Sequence, residues 1–395
     1  MKYMKYKTAL KFLFFLLQIL FIPLWFLIGL FPKKKGYIVL GELMGDAIGE
    51  NSSFLADQLL YEKPDLNVIL ISNSKTLCLN HYHSGLMCFK KWSLKGILAT
   101  MQAEIVITSN SKRDVNRYFV NGATQINLWH GSPMKKIMCD DQIHPPRFSW
   151  LIELFMPYRC GYNFDYTLCS GRAFKKPLIS AFNTDSENLL LACSPKCTAQ
   201  QSACCLRNNK KFLPYKNKWM ILFAPTFRDY NYDYNPFRGI DLNVLNKTLE
   251  DLDMLIVIKS HFAAENKVYN YRSIIEYSDL FGNIHINLAF NTVDALITDY
   301  SGVYFDFLLT KKPIILAPID KDKYLEAGRQ LYFDYSSFPC DAVLDNWSDF
   351  SDVIELVKKE KMGKKTKNII KDPIGEFLTY KDKSLAKLLI EKFVL

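Results

Sequence analysis

The chain has 395 residues, 49% hydrophobic and 14% aromatic, with 50 Lys and Arg against 40 Asp and Glu for a formal net charge of +10. Such a length exceeds one ordinary domain and fits two, and the apolar share can fill two buried cores, which excludes general disorder. The modest positive excess suits an anionic partner, such as a membrane surface, a nucleotide-linked substrate or a polyanionic product; no helix-turn-helix, zinc-finger or aromatic RNA-binding signature points to nucleic acid.

The N-terminus is the most distinct segment. Lys2, Lys5 and Lys7 precede an apolar run from Phe12 to Phe31 in which only Gln18 is strongly polar, and Lys33, Lys34 and Lys35 close it. As a helix the run is about 30 Å long, enough to cross a bilayer. It exceeds a secretory h-region and no small-x-small cleavage site follows, so residues 1–35 read as a membrane-anchoring helix rather than a cleaved signal. Lysines at both ends give no orientation. Pro23 in mid-run leaves a spanning helix and a kinked helix lying in the interface both open.

After the anchor, short apolar runs alternate with polar segments of helical length. Tyr37–Leu40, Asn67–Ile71, Glu104–Thr108, Gln125–Leu128 and Tyr166–Cys169 read as parallel strands with both faces covered. A polar stretch from about Lys196 to Lys218 is the expected inter-domain linker. The rhythm restarts with strands at Trp219–Ala224, Met254–Lys259, Ile284–Ile286, Ala295–Thr298 and Pro313–Ala317. The expected organisation is α/β: an anchor at 1–35, a Rossmann-like domain at 36–200, a second at 215–380 and a C-terminal helix at 381–395. Two doubly wound domains facing a cleft make the GT-B architecture, whose ligands lie at the carboxyl ends of strands.

Ten cysteines include one cluster, Cys193, Cys197, Cys204 and Cys205. It lacks paired C-x2-C knuckles and a nearby histidine, so reduced thiols are expected rather than zinc. Asp251–Asp253 and Asp320–Asp322 match D-x-D spacing, but the first precedes a strand and charged turns are common, so no metal is assigned.

Four motifs sit where strands end. In LWHGSPMKK (128–136), His130 follows a strand and can take a proton from a hydroxyl, with Ser132 expected to cap a helix begun by Pro133 and Lys135 adding charge. In ILFAPTFRD (221–229), Arg228 could clamp a phosphate or pair with neighbours to hold its loop. In IVIKSHF (256–262), a strand delivers His261 to the same edge. In ALITDYSGVYFDF (295–307), Thr298, Ser301 and the amides around Gly302 precede a helix and suit a pyrophosphate, with Asp306 one turn on.

In this order the motifs resemble the CDP-glycerol glycerophosphotransferase family of teichoic-acid priming and polymerisation. Trp129–Lys135 is similar to its W-H-G-[ST]-P-x-K element and Ala224–Asp229 to A-P-T-x-R-D. Ile297–Ser301, with Phe305-Asp306 and Lys312-Pro313, is similar to I-T-D-Y-S-S with F-D and K-P; Asp320, Tyr324 and Arg329–Tyr335 look like the stretch that follows. Gly302 stands where the family has a second serine, and Cys193-Ser194-Pro195-Lys196 stands for its G-x-P-R element.

The resemblance implies a GT-B fold, with 36–200 the acceptor domain and 215–380 the CDP-donor domain. It implies two catalytic histidines, His130 as base and His261 at the phosphoryl group or leaving CMP. Thr298, Ser301 and Gly302 would hold the donor phosphates, with Arg228 and Asp306 beside them and Ser132 and Lys135 towards acceptor or phosphate. The expected donor is a CDP-polyol and no other cofactor is assigned. The acceptor would be a lipid-linked saccharide or polyol phosphate, reached from the cytoplasmic side of the cell membrane. The rival readings are a GT-B glycosyltransferase using a nucleotide sugar for capsule or lipopolysaccharide, and a non-catalytic scaffold of the same fold.

Overall fold

The computed structural model describes residues 18–46, 49–74, 86–143, 158, 163–226, 228, 234–259, 269–327, 330–360, 372–393 and 395. Its first half contains α1 (Phe21–Gly29), β1 (Lys34–Gly41), α2 (Asn51–Glu62), β2 (Asn67–Ser72), β3 (Met87–Lys90), α3 (Leu94–Gln102), β4 (Ala103–Thr108), β5 (Thr124–Asn127), β6 (Tyr166–Cys169), α4 (Lys175–Phe182), β7 (Leu189–Leu191) and α5 (Pro195–Ser202). The strands form one sheet in the order β3-β2-β1-β4-β5-β6-β7, every pairing parallel.

The second half runs β8 (Trp219–Ala224), α6 (Leu242–Asp251), β9 (Met254–Ile258), β10 (Ile274–Glu276), α7 (Tyr277–Phe281), α8 (Ile286–Ala289), β11 (Ala295–Thr298), α9 (Val303–Phe307), β12 (Ile314–Leu316), α10 (Lys321–Ala327), β13 (Ala342–Val343), α11 (Phe350–Glu360), α12 (Pro373–Phe377) and α13 (Leu385–Phe393). These strands form a second sheet, β10-β9-β8-β11-β12-β13, again parallel throughout. Strand order reverses at β1/β4 in one sheet and β8/β11 in the other. Such reversals open a crevice at the carboxyl ends of strands.

Sequence dictates these elements simply. Ile38, Val39 and Leu40 in β1 and all of Met254–Ile258 in β9 are buried, as continuous apolar strands covered on both faces must be. One apolar core joins the halves: Phe174 of the first lies 5.0 Å from Phe305 of the second, and Phe377 touches both. The chain then returns to its origin. Leu385, Ala386 and Leu389 of α13 pack with Ile38 and Leu55 beneath the first sheet.

Several expectations need correction. Ile284–Ile286 is not a strand: His285 Nδ1 accepts from the Asn287 amide at 3.2 Å and caps α8. The polar 196–218 stretch does join the two sheets, but as an ordered connection: α5 buries Pro195, Lys196, Cys197 and Gln200, and Phe212 is buried further on. No helix follows Ser132. Instead residues 134–136 pair with 330–332 of the second half, Lys136 N donating to Gln330 O at 2.7 Å and Tyr332 N to Met134 O at 2.9 Å. Strands β3, β7, β10 and β13 went unforeseen.

The apolar N-terminal run is seen only from Gln18. Among the described residues no helix is long and apolar enough to cross a membrane. Helix α1 lies against the first sheet, with Trp25 in a core shared with Val39, Ile69 and Ala99, and Ile28 buried as well. Burying each contributes about 1.5–3 kcal/mol. Asn121 Nδ2 donates to the Trp25 carbonyl at 2.8 Å, fixing the helix from its side.

Candidate active site

His130 follows β5 at the carboxyl edge of the first sheet, where its exposed side chain meets the space between the halves. The residue before it is strained: Trp129 has φ 54°, the left-handed region that a bulky residue rarely adopts. Its surroundings over-determine that conformation. Trp129 N donates to Asn127 Oδ1 at 2.9 Å, its carbonyl accepts from Asn51 Nδ2 at 2.8 Å, and its indole packs edge-on against Phe182. The kink turns the His130 ring onto the indole, 4.1 Å between centroids. A cavity of about 20 Å³ lies behind the turn, lined partly by Asn51, Ser132, Ser170 and Ser194. Its size and polar rim suit one water molecule.

Two ties hold the histidine. The Ser109 carbonyl hydrogen-bonds the residue, and the His130 carbonyl accepts from Lys196 Nζ at 3.0 Å. Crowding by protein atoms lowers the imidazole pKa to about 4; Lys196 adds to the depression, Glu50 opposes it and Lys135 adds a little more. Water at the exposed edge moderates that depression. The ring is therefore neutral at physiological pH, the form in which a base can accept a proton. Glu50 stands nearby with His285 Nε2 of the second half 3.4 Å from its Oε1. Burial raises the Glu50 carboxyl, but the His285 bond and the charge of Lys196 more than offset it and hold it below its usual range.

The facing edge of the second sheet supplies the turn after β11. Ser301 and Gly302 are half-buried, and the Ser301 hydroxyl accepts from Val303 N at 3.3 Å. Gly302 touches the histidine loop: a Cβ built there would lie 2.5 Å from the Ser132 carbonyl oxygen. Any side chain would force the two turns apart, so glycine sets how closely the halves approach.

Other predicted residues sit differently. Thr298 is fully buried, and its hydroxyl donates to Ala224 O at 2.8 Å, tying β11 to β8 rather than reaching the cleft. Arg228 is buried between two carboxylates, 2.8 Å from Asp299 Oδ2 and 2.7 Å from Asp320 Oδ1, so it holds its loop and offers no free face to a phosphate. Asp306 is buried in an ion pair with Lys196 at 3.0 Å, where it supports the turn. Ser132 lies with its hydroxyl 3.3 Å from that of Ser170, and Lys135 is half-buried in the bridge to Leu331. His261 lies outside the described residues, as do Asp229 and Arg329. The site thus assembles His130, Ser132, Ser301 and Gly302, with Glu50, Lys196 and His285 added. Glu50 and His285 lacked a signal, while Lys196 had one only as the basic residue standing in Cys193-Ser194-Pro195-Lys196 for the arginine of G-x-P-R.

The first sheet's own crevice is filled by the protein. Glu42 accepts from the amides of Glu50, Ser52 and Ser53 at the start of α2, at 3.1, 3.1 and 3.2 Å. Asp114 does the same for Ser109, Asn110 and Ser111 after β4. Carboxylates occupy the amides that an anionic ligand would use there. After β11, by contrast, the Ser301 and Gly302 amides have no protein partner among the described residues.

The family profile described as CDP-Glycerol:Poly(glycerophosphate) glycerophosphotransferase matches residues 25–392. A teichoic acid poly(glycerol phosphate) polymerase of Bacillus spizizenii is 25% identical over 399 residues, 93% of this chain and 94% of that one. A teichoic acid glycerol-phosphate transferase of Staphylococcus aureus is 25% identical, over 68% of this chain and 70% of its own. Against a longer relative, the teichoic acid poly(ribitol-phosphate) polymerase of Bacillus spizizenii, 30% identical, the match spans 33% of that protein. The solved wall teichoic acid polymerase TagF superposes with a TM-score of 0.69 at 18% identity, over 92% of this chain and 89% of that one, and shares the fold. The profile extends over both sheets and through every element of the site, so the chain belongs to the CDP-glycerol:poly(glycerophosphate) glycerophosphotransferase family and is a transferase of teichoic-acid synthesis.

Proposed function

We propose that the protein transfers a polyol phosphate, glycerol phosphate foremost, from a CDP-linked donor to a hydroxyl of a lipid-linked acceptor, within a GT-B arrangement of its two halves. The observation that carries this reading is the contact of the His130 loop with the Ser301–Gly302 turn, which sets a neutral base opposite unpartnered amides. His130 takes the acceptor's proton as its oxygen attacks the β-phosphorus. The bond from that phosphorus to the bridging oxygen breaks, and CMP leaves with the electron pair. Such a transfer is catalysed mainly by positioning and charge stabilisation. His261 keeps its expected role at the phosphoryl group or CMP. Purified protein given a panel of CDP-polyols and lipid-linked acceptors should release CMP only with both; release of UDP or GDP from nucleotide sugars instead would reject this chemistry.

Two outcomes test the site. Ser301→Ala should raise KM for the CDP-linked donor by about tenfold, the value of one charge-assisted hydrogen bond; unchanged donor affinity by calorimetry in a folded variant places the phosphates elsewhere. The acidic limb of kcat/KM should fall below the ordinary histidine value of about 6.5, towards 4. The sign follows from the protein atoms crowded around the ring and from Lys196, which disfavour the charged imidazole, so the base stays competent as pH drops. A limb at or above 6.5 would contradict it.

The protein works at the membrane surface in this reading. Leu20, Leu27 and Leu30 of the α1 segment are 71%, 63% and 82% exposed, opposite the face that packs Trp25. Trp92 and Leu94 continue the apolar surface beside Tyr118, onto which Phe21 stacks. Exposed Lys34 and Lys35 flank it, as an interfacial helix on anionic lipid requires. Leu20→Glu with Leu27→Glu should weaken sedimentation with anionic vesicles more than about tenfold, each leucine giving about 1.5–3 kcal/mol when buried. Turnover of a soluble acceptor should be unaffected. Equal vesicle binding would move the contact to another surface.

A further inference from the structure

We propose that Lys196 is a positioning residue for His130, tying the histidine's own backbone to the opposite half of the molecule. The inference rests on the reading of His130 as the base. Lys196 lies in the first turn of α5, following Pro195. Its Nζ donates to the His130 carbonyl at 3.0 Å and stands 3.0 Å from Asp306 Oδ2 of α9, in the second half. The lysine and aspartate side chains are 8% and 4% exposed.

Both partners are themselves fixed. Cys197 Sγ approaches Asp306 Oδ1 at 3.4 Å, and Gln200 Nε2 donates to the Asp306 carbonyl at 3.2 Å. The Lys196 amide donates to Asn51 Oδ1 at 3.3 Å, while the same Asn51 holds the Trp129 carbonyl. The carbonyls of residues 129 and 130 are thus each gripped by a side chain, one from α2 and one from α5. The imidazole projects from that clamped backbone. Burying an ammonium costs several kcal/mol unless it is paired and hydrogen-bonded, and an apolar residue would fill the space without that cost. What the ammonium adds is a link from the histidine to Asp306, and through α9 to the Gly302 turn.

The same charge acts on the ring. From its own loop His130 faces Lys135, from the residue before α2 Glu50, which His285 of the second half holds, and from α5 Lys196 with its Asp306 counter-ion. A fixed cation beside the imidazole favours the neutral form, while Glu50 works in the opposite sense.

The test uses the full chain with Lys196→Gln and Lys196→Arg, reading CMP release, KM for CDP-glycerol and the NMR titration of the His130 ring. Lys196→Gln should lower kcat by about 100-fold, as a displaced catalytic group does, with donor KM changed less than about threefold. Its His130 titration should move up by about one pH unit as the cation is lost. Lys196→Arg should recover most of kcat, because a guanidinium can serve both oxygens. Equal losses in the two variants with an unmoved titration, or a loss confined to KM, would overturn the proposal. If Lys196→Gln does not fold, Asp306→Asn decides: freed of its counter-ion, the lysine should push the His130 titration lower, and an unmoved titration rejects the role. Full turnover by His130→Ala would remove the base reading, whereas the ring titration of the wild-type and Lys196 variants reports on the lysine whatever the turnover.

Discussion

Replacing His130 by alanine is expected to lower kcat for CMP release by about 10²–10⁴-fold, the usual loss when a general base is removed. KM for the CDP-linked donor should stay within about threefold, because in the proposed reading the Ser301–Gly302 turn, and not the imidazole, holds the donor's phosphates. Three features make the effect large. The ring is held neutral by its surroundings, so nearly every molecule carries a competent base. Its backbone is held by Lys196, and the strained Trp129 turn aims it into the space between the halves. Finally, the other described histidine cannot replace it: His285 has Nδ1 engaged by Asn287 N and Nε2 facing Glu50. His130→Gln, which keeps the size of the side chain and loses the proton acceptor, should be as slow as the alanine variant. Steady-state assays with acceptor at saturation, beside circular dichroism to confirm folding, would measure both. Near-wild-type turnover in either would take His130 out of the proton transfer.

Much of this architecture was legible because strands buried on both faces are continuous apolar runs with little room for other structure. Tyr166–Cys169, Trp219–Ala224 and Ala295–Thr298 coincide with the observed strands to the residue. Edge strands such as Leu189–Leu191 and Ala342–Val343 are too short to show a period and exist through their neighbours' hydrogen bonds. The Ile-His-Ile segment at 284–286 looks like a strand by composition, yet a side-chain cap from His285 makes it a helix start, a local bond that hydropathy does not register. His130 and the Ser301–Gly302 turn were readable from their place at strand ends. Burial was not: nothing in the string A-P-T-F-R-D distinguishes an arginine that binds phosphate from one enclosed by Asp299 and Asp320. Lys196 was visible as the basic end of the Cys193–Lys196 element, but its burial beside Asp306 was not, because the stretch is polar enough to resemble a linker.

Arg228→Met should destabilise the second half by about 3–5 kcal/mol, the cost of stripping one partner from a buried ionic cluster. The guanidinium is 1% exposed and bonds Asp320 through Nε at 2.8 Å and through a terminal nitrogen at 2.7 Å. It also reaches Asp299 at 2.8 Å and the Thr226 carbonyl at 2.6 Å. Tyr234, Tyr324 and Tyr300 lie 4.4, 4.8 and 5.2 Å from its central carbon, so its π faces are covered as well as its edges. Methionine can fill much of that volume but leaves two buried carboxylates facing each other without a cation. Asp299 has a further duty, accepting from Thr226 N at 2.8 Å and Tyr300 N at 2.7 Å, so its displacement would loosen the turn that carries Ser301. Urea unfolding should therefore show the loss, and donor KM should rise along with it. Adding Asp320→Asn to Arg228→Met removes one of the two stranded charges and should restore part of the stability. If instead Arg228→Met unfolds like the wild type while donor binding collapses, the arginine meets the donor directly and the buried cluster is not its main role.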